Sequence, residues 1–118
     1  MKITITSKGK CLTDDMDPRF GRCAKFIVYE TDSGVFEVFE NESAAMPGGA
    51  GIQAAQFMIS KDVKVVISGS FGPNAYNTLI AAGIDMYSDT QGKVIEVVNR
   101  FKDGKLQKVS EAGTSKKA

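Results

Sequence analysis

Apolar and polar positions alternate through much of the first forty residues, a pattern typical of strands with one buried face. Lys2–Thr6 alternates isoleucine with polar residues and predicts the first strand. Phe26–Glu30 and Val35–Glu40 predict two more strands, and Thr31–Gly34 between them has the length and the glycine of a hairpin turn. The first third of the chain should therefore form an antiparallel meander.

From about residue 50 the apolar positions change to helical spacing. Ile52–Ser60 and Val94–Phe101 carry apolar residues three and four positions apart, and a third helix is predicted between Pro73 and Gly83. Two apolar segments, Val63–Ser68 and Ile84–Ser88, separate these helices and predict buried strands. The pattern indicates a mixed sheet covered by helices.

This order of elements predicts one α/β domain over residues 1–109, with a five-stranded mixed sheet flanked by three helices. Lys105–Val109 could add a short extended piece, and we expect residues 110–118 to form a flexible tail. The parallel crossovers should be right-handed, and ligands of such sheets bind at the carboxyl ends of the strands.

Composition narrows the possible partners. The chain has 118 residues, of which 42% are apolar and 25% charged, as expected for a single folded domain. Fifteen basic and 14 acidic residues give a net charge of +1, which argues against nucleic acid as a partner. No apolar run approaches the roughly 20 residues of a membrane-spanning helix, and the first ten residues do not resemble a signal peptide. We therefore expect a cytoplasmic protein that binds neither nucleic acid nor membranes.

The supply of catalytic and metal-binding side chains is small. The chain contains no histidine, which removes the usual general base and the Ser-His and Cys-His nucleophile pairs. Its two cysteines, Cys11 and Cys23, are too far apart for a CxxC motif. These absences argue against an enzyme and against a conventional zinc site.

Two glycine-rich turns each precede a predicted helix. Gly48, Gly49 and Gly51 lie before the first helix, and the run from Gly69 to Asn74 joins a buried strand to the second helix. The unpaired N–H groups and the positive dipole end of a helix start favour an anion without requiring a basic side chain. The alternative is that glycine and proline only turn the chain and start the helix.

The first turn also matches the dinucleotide-binding fingerprint G-x-G-x-x-A, in Gly49-Ala50-Gly51-Ile52-Gln53-Ala54. The match is in residue types alone, because the fingerprint requires a strand directly before it and an acidic residue about 20 positions later, and this sequence has neither.

The loop after the first strand carries further candidates. Arg19 and Arg22 flank Phe20 and Gly21, so two guanidinium groups could clamp an anion, or could be ordinary surface charges. Cys23 follows, and its sulfur could be a soft metal ligand or a small buried apolar group. The acidic cluster of Asp14, Asp15 and Asp17 could hold a hard cation, although a solvated loop explains it as well.

Five segments together resemble the dinitrogenase iron-molybdenum cofactor biosynthesis family, over residues 1 to about 109. They are DPRFGRC, GGAGIQAAQ, VVISGSFGPNA, AAGIDMY and GKVIEVVNRFKDGKL. The family includes nitrogenase cofactor carriers, a protein that holds a molybdenum–copper sulfide, and stand-alone archaeal and bacterial domains.

The resemblance implies a ribonuclease H-like three-layer fold and a carrier or accessory protein, not an enzyme, that binds a molybdenum- or iron-containing sulfide cluster non-covalently. It also implies a possible cofactor-receiving protein partner. The alternative function is a small enzyme or binding domain for a phosphorylated or anionic metabolite. The cluster-binding residues implied are Arg19, Phe20, Gly21, Arg22, Gly48, Gly49, Gly51, Gly69, Ser70, Gly72, Pro73 and Asn74, with Cys23 as a candidate metal ligand.

Overall fold

The computed structural model describes residues 1–89 and 91–110, which form strands and helices in the predicted order. Residues 111–118 of the predicted tail lie outside the described residues. The elements are β1 Lys2–Ser7, β2 Lys25–Glu30, β3 Phe36–Glu40, α1 Ala50–Ser60, β4 Val65–Ser68, α2 Pro73–Ala81, β5 Asp85–Ser88, α3 Val94–Lys102 and β6 Gln107–Lys108.

The strands form one mixed sheet in the order β3-β2-β1-β4-β5-β6. The β1, β2 and β3 strands pair antiparallel, as the meander predicts, and β1, β4 and β5 pair parallel. Ile5 of β1 lies between Ile27 of β2 and Ile67 of β4, so apolar residues from three adjacent strands line up across the sheet centre. The carboxyl ends of β1, β4 and β5 therefore meet at one edge, where the glycine-rich turns begin.

The predicted count of five strands is wrong, because β6 adds a sixth strand within residues 1–89 and 91–110. The chain turns back after α3, and β6 pairs antiparallel with β5, Tyr87 opposite Lys108. The backbone N–H of Val109 also donates to the Met86 carbonyl. This short strand falls in the predicted extended piece Lys105–Val109, and it covers an edge of β5 that would otherwise stay unpaired.

Helices cover both faces of the sheet and give three layers. The α1 and α2 helices pack on one face, where Met58 and Leu79 are fully buried. The α3 helix packs on the other face over Ile3 and Ile5 of β1. Its buried residues Val94, Val97 and Val98 show that helical spacing prevails over the β-branched composition.

Among the described residues, no helix has both the length and the apolar content needed to cross a bilayer.

Candidate functional site

A cavity of about 280 Å³ lies where both helices of one sheet face begin. The α1 start, the α2 start and the loop between β1 and β2 form its walls. Its lining residues are Phe20, Gly21, Arg22, Gly49, Ala50, Gly51, Ile52, Gly72, Pro73, Asn74 and Ala75. The structure thus brings the helix-proximal parts of the two glycine-rich turns and the Phe20–Arg22 segment to one place.

Neither helix start is capped by a side chain of its own. Gly49 and Gly72 occupy the N-cap positions, and neither first turn contains an acidic residue. Gly49 has a φ of 77°, a left-handed conformation that glycine adopts without the steric cost of a β-carbon. Both helix dipoles therefore keep their positive ends free for a ligand.

Five backbone N–H groups at these helix starts have no acceptor within residues 1–89 and 91–110. The first intrahelical acceptors are the carbonyls of Gly49 and Gly72, which bind Gln53 N–H and Tyr76 N–H, while Pro73 has no N–H to offer. The five unpaired donors belong to Ala50, Gly51, Ile52, Asn74 and Ala75, which all line the cavity. Such a set of donors favours an anionic ligand.

Close backbone contacts keep the walls of the cavity together. A β-carbon on Gly21 would lie 3.1 Å from the Cα of Gly51, and one on Gly51 would lie 3.2 Å from the Cβ of Ala75. Glycine at positions 21 and 51 therefore lets the loop, α1 and α2 approach each other directly. The sequence predicted both glycines as ligand contacts, which stays a prediction, and the structure shows that they are packing positions.

Phe20 provides an apolar, buried part of the lining. Its side chain is 2% exposed, and its ring lies 5.2 Å from the Phe71 ring and 6.0 Å from the Phe26 ring, centroid to centroid. This aromatic cluster anchors the loop to the sheet, so Gly21 and Arg22 are held in a fixed position beside the helix starts.

Arg22 is exposed at the cavity and bonded to the chain that precedes α1. Its Nη1 donates to the Ala44 carbonyl at 2.8 Å and to the Met46 carbonyl at 2.6 Å. These acceptors are neutral, so the guanidinium charge is not balanced by a carboxylate there. Arg22 is therefore the cationic side chain that lines this cavity.

Arg19 does not line the cavity, so the structure places only one of the two guanidinium groups of the predicted clamp there, that of Arg22. Its Nε and Nη2 donate to the two carboxylate oxygens of Asp17, each at 3.0 Å, and its backbone N–H donates to Oδ1. Burial of Asp17 favours the protonated acid, but these three bonds prevail and lower its pKa. The pairing follows from loop geometry, which the spacing of charges in the sequence does not reveal.

Three more predicted site residues also lie outside the cavity lining. A β-carbon on Gly69 would lie 2.6 Å from Pro18 Cβ, and Ser70 N–H donates to the Pro18 carbonyl at 3.0 Å. Gly69 and Ser70 thus hold the loop before β2 against the end of β4. A β-carbon on Gly48 would meet no atom within 4 Å.

Cys23 lies in the core, which argues against its predicted role as a metal ligand. Its side chain is 0% exposed, and Sγ donates to the Phe20 carbonyl at 3.4 Å. Burial and the nearby negative charge of Asp17 raise the pKa of the Cys23 thiol to about 12. Because metals bind the thiolate, a thiol held neutral is a poor ligand.

The acidic cluster does not form a cation site. The carboxylate of Asp14 accepts the backbone N–H of Cys11 and that of Asp17 is bound by Arg19, whereas Asp15 is exposed. In residues 1–89 and 91–110, no three acidic, histidine or cysteine side chains lie close enough together to hold a metal ion.

Ala50, Ile52 and Ala75 line the cavity but were not predicted as site residues. They contribute through the backbone, and their side chains are of types usually assigned to a core. The rule that the first N–H groups of any helix lack partners could have identified them, had all positions of both first turns been considered.

Comparisons of the sequence and of the structure with known proteins indicate the same family. Residues 1–104 match the family described as dinitrogenase iron-molybdenum cofactor. An uncharacterized protein of Methanocaldococcus jannaschii is 32% identical over 96 residues, which cover 79% of this chain and 81% of that protein.

Two solved structures resemble the chain over nearly its whole length. The apo form of the orange protein from Desulfovibrio gigas superposes with a TM-score of 0.90 and is 37% identical, covering 98% of this chain and 96% of the other. A Thermotoga protein described as NifB superposes with a TM-score of 0.81 and is 38% identical, covering 91% of each chain. On this match of sequence and structure, the chain belongs to the dinitrogenase iron-molybdenum cofactor family.

Proposed function

We propose that this protein binds a compact, anionic metal–sulfur cluster in the cavity between the starts of α1 and α2, and carries it as an accessory protein of cofactor biosynthesis. The observation that supports this most is the convergence of five unpaired backbone N–H groups from two uncapped helices. Family membership supplies the class of cargo, a molybdenum- or iron-containing sulfide.

The donors at the cavity suit such a cargo. A cluster with a negative sulfide surface gains from N–H donors, from the positive ends of two helix dipoles and from the Arg22 guanidinium. The cavity of about 280 Å³ lies just below the roughly 300–1,000 Å³ typical of ligand pockets. A small inorganic anion therefore fits better than a dinucleotide.

The proposed site omits Cys23 and Arg19. The first is a neutral thiol in the core, and the second is bound to Asp17. Binding would then be non-covalent, which agrees with a protein that must release its cargo to a cofactor-receiving partner. We propose no catalytic step. The ribonuclease H-like assignment stays a prediction, and a shared fold would not by itself imply nuclease activity.

Titration of the apo-protein under anaerobic conditions tests this function. Tetrathiomolybdate, with and without Cu(I), would be added while the backbone amides are followed by ¹H–¹⁵N spectra and the cluster by its visible absorption. We expect saturable shifts at residues 50–52 and 74–75, with the α3 amides unchanged as the internal reference.

Inorganic phosphate is the matched control anion for this titration. Equal or tighter binding of phosphate at the same amides would favour the alternative, a site for a phosphorylated metabolite. If thiomolybdate shifts amides elsewhere on the molecule, or none at all, the proposed site is wrong.

A further inference from the structure

A second surface lies at the free edge of the sheet, formed by β3. The two edges of the sheet are β3 and β6, and β6 has only two residues whereas β3 has five. Val35 just before β3 and Phe36 at its start are 65% and 37% exposed. An exposed strand of this length is a template for pairing with another strand.

The register shows which backbone groups of β3 are free. Glu30 N–H donates to the Val35 carbonyl, and Asn41 N–H donates to the Ala24 carbonyl. Since hydrogen-bonded pairs alternate along an antiparallel ladder, the odd-numbered residues of β3 face β2 and the even-numbered ones face outward. The N–H and C=O groups of Phe36, Val38 and Glu40 therefore have no partner within residues 1–89 and 91–110.

A cavity of about 490 Å³ opens between this edge and α1. Three phenylalanine rings line it, with Phe39 edge-on to Phe57 at 5.3 Å and Phe26 stacked on Phe57 at 5.9 Å between centroids. The Lys61 ammonium already lies 4.6 Å from the Phe39 ring centroid. A side chain entering the cavity from an added strand should therefore be apolar, because a second cation would meet Lys61.

The charges along the edge are mainly acidic. Glu37 and Glu40 are exposed on β3, and Glu42 lines the cavity just beyond it. Lys25 is bound to Glu40 at 2.7 Å, whereas Glu37 and Glu42 have no ion-pair partner in the described part of the chain. Pairing of two β3 strands from two copies would bring like charges together, so the edge is better suited to a basic partner.

We propose that β3 binds an extended, basic segment of a partner protein as an added antiparallel strand, with one apolar side chain in the neighbouring cavity. This inference does not depend on what the cavity at the helix starts binds. The register also predicts the pattern of the segment. Positions opposite Glu37 and Glu40 should be basic, and the position opposite Phe39 should be apolar.

The probe is the peptide Ac-Lys-Leu-Val-Lys-Val-NH2, which places its lysines opposite Glu40 and Glu37 and its leucine opposite Phe39. We expect larger amide shifts for Phe36, Val38 and Glu40 than for Glu37 and Phe39, because only the outward N–H groups gain acceptors. The matched control is Ac-Glu-Leu-Val-Glu-Val-NH2, which should not bind.

Two pairs of variants make the test specific. Val38→Pro removes an outward donor without removing a β2 bond and should weaken binding of the lysine peptide about tenfold, whereas Val38→Ala should not. Glu37→Lys should weaken binding, and Asp103→Lys at the end of α3 should leave it unchanged. Equal binding of both peptides, no shifts at millimolar peptide, or β3 shifts that depend on protein concentration through self-pairing would each overturn the proposal.

Discussion

Gly21 and Gly51 touch backbone to backbone, since a β-carbon on Gly21 would come within 3.1 Å of both the Cα and the N of Gly51. The contact joins the loop before β2 to the first turn of α1, two segments far apart in sequence. It fixes how closely Arg22 approaches the uncapped end of α1. The width of the proposed anion site thus depends on the absence of a side chain at position 21.

Gly21→Ala should therefore weaken binding at the helix starts. The added methyl must push the loop away from α1, and we expect the free energy of unfolding to fall by about 1 kcal/mol, in the range typical of overpacking. The affinity for tetrathiomolybdate should fall about fivefold if the displaced loop costs a comparable amount of binding free energy. Chemical denaturation and anaerobic titration measure the two effects.

Gly48→Ala is the matched control, because its β-carbon would meet no atom within 4 Å. It should change neither stability nor affinity appreciably. Equal effects of the two substitutions would show that the close contact at Gly21 is unimportant.

Periodicity predicted most elements because burial decides their type. The spacing of Val94, Val97 and Val98 places all three on one helical face, and each is fully buried in α3. The sixth strand, β6, was predicted only as a short extended piece, and it has two exposed residues, Gln107 and Lys108. It exists because of its backbone pairing with β5, which leaves no hydrophobic signal in the sequence.

The candidate site was predictable where it depends on the backbone and not where it depends on loop geometry. The glycines of the two turns indicated helix starts with free N–H groups, and the structure places both starts around one cavity. Asp17 lay in an acidic run typical of a solvated loop, but its side chain is 2% exposed and bound by Arg19. Pairing between loop residues two apart depends on the path of the chain, so the sequence did not show that Arg19 would bind Asp17 and lie outside the cavity lining.

Arg22→Gln should weaken anion binding. The Arg22 guanidinium is bonded only to the neutral Ala44 and Met46 carbonyls among the described residues, so it can reorient toward an anion without breaking an ion pair. Loss of a charge-assisted hydrogen bond should lower the tetrathiomolybdate affinity about tenfold. Because the variant lacks the Arg22 charge, its binding should also depend less on salt concentration.

Arg19→Gln is the control for charge alone, since Arg19 is bonded to Asp17 and lies outside the cavity lining. Measured at the same ionic strength, it should lower affinity less than Arg22→Gln. The reverse order would contradict the assignment of Arg22 to the site.

Asp17→Asn should destabilise the fold most strongly near neutral pH. Because Arg19 holds the folded-state pKa of Asp17 below the usual value of 3.8, the native state binds fewer protons than the unfolded state in acid. The stabilisation is present above about pH 4 and is lost as the pH falls through the folded-state pKa.

The measurement is the Tm of the wild-type protein and of Asp17→Asn, each at pH 7 and at pH 3. We expect Asp17→Asn to lower Tm by about 5 °C at pH 7, as for roughly 1 kcal/mol in a domain of this size, and by less at pH 3. A Tm difference that is larger at pH 3 than at pH 7 would contradict the ion pair.

The last prediction concerns the buried thiol of Cys23, whose folded-state pKa of about 12 lies above the usual thiol value of 9.0. Between these two values the unfolded chain loses the Cys23 proton while the native protein keeps it, so the free energy of unfolding should fall as the pH rises above about 9. Cys23→Ala removes this titration, and its stability should decline less steeply over the same interval. The two pH profiles can be compared by urea denaturation from pH 8 to pH 11.

The burial of Cys23 also predicts its reactivity. Under native conditions at pH 8, a thiol reagent should modify the exposed Cys11 and leave Cys23 unmodified. Fast modification of Cys23 would show that its sulfur reaches the surface, and would reopen its role as a metal ligand.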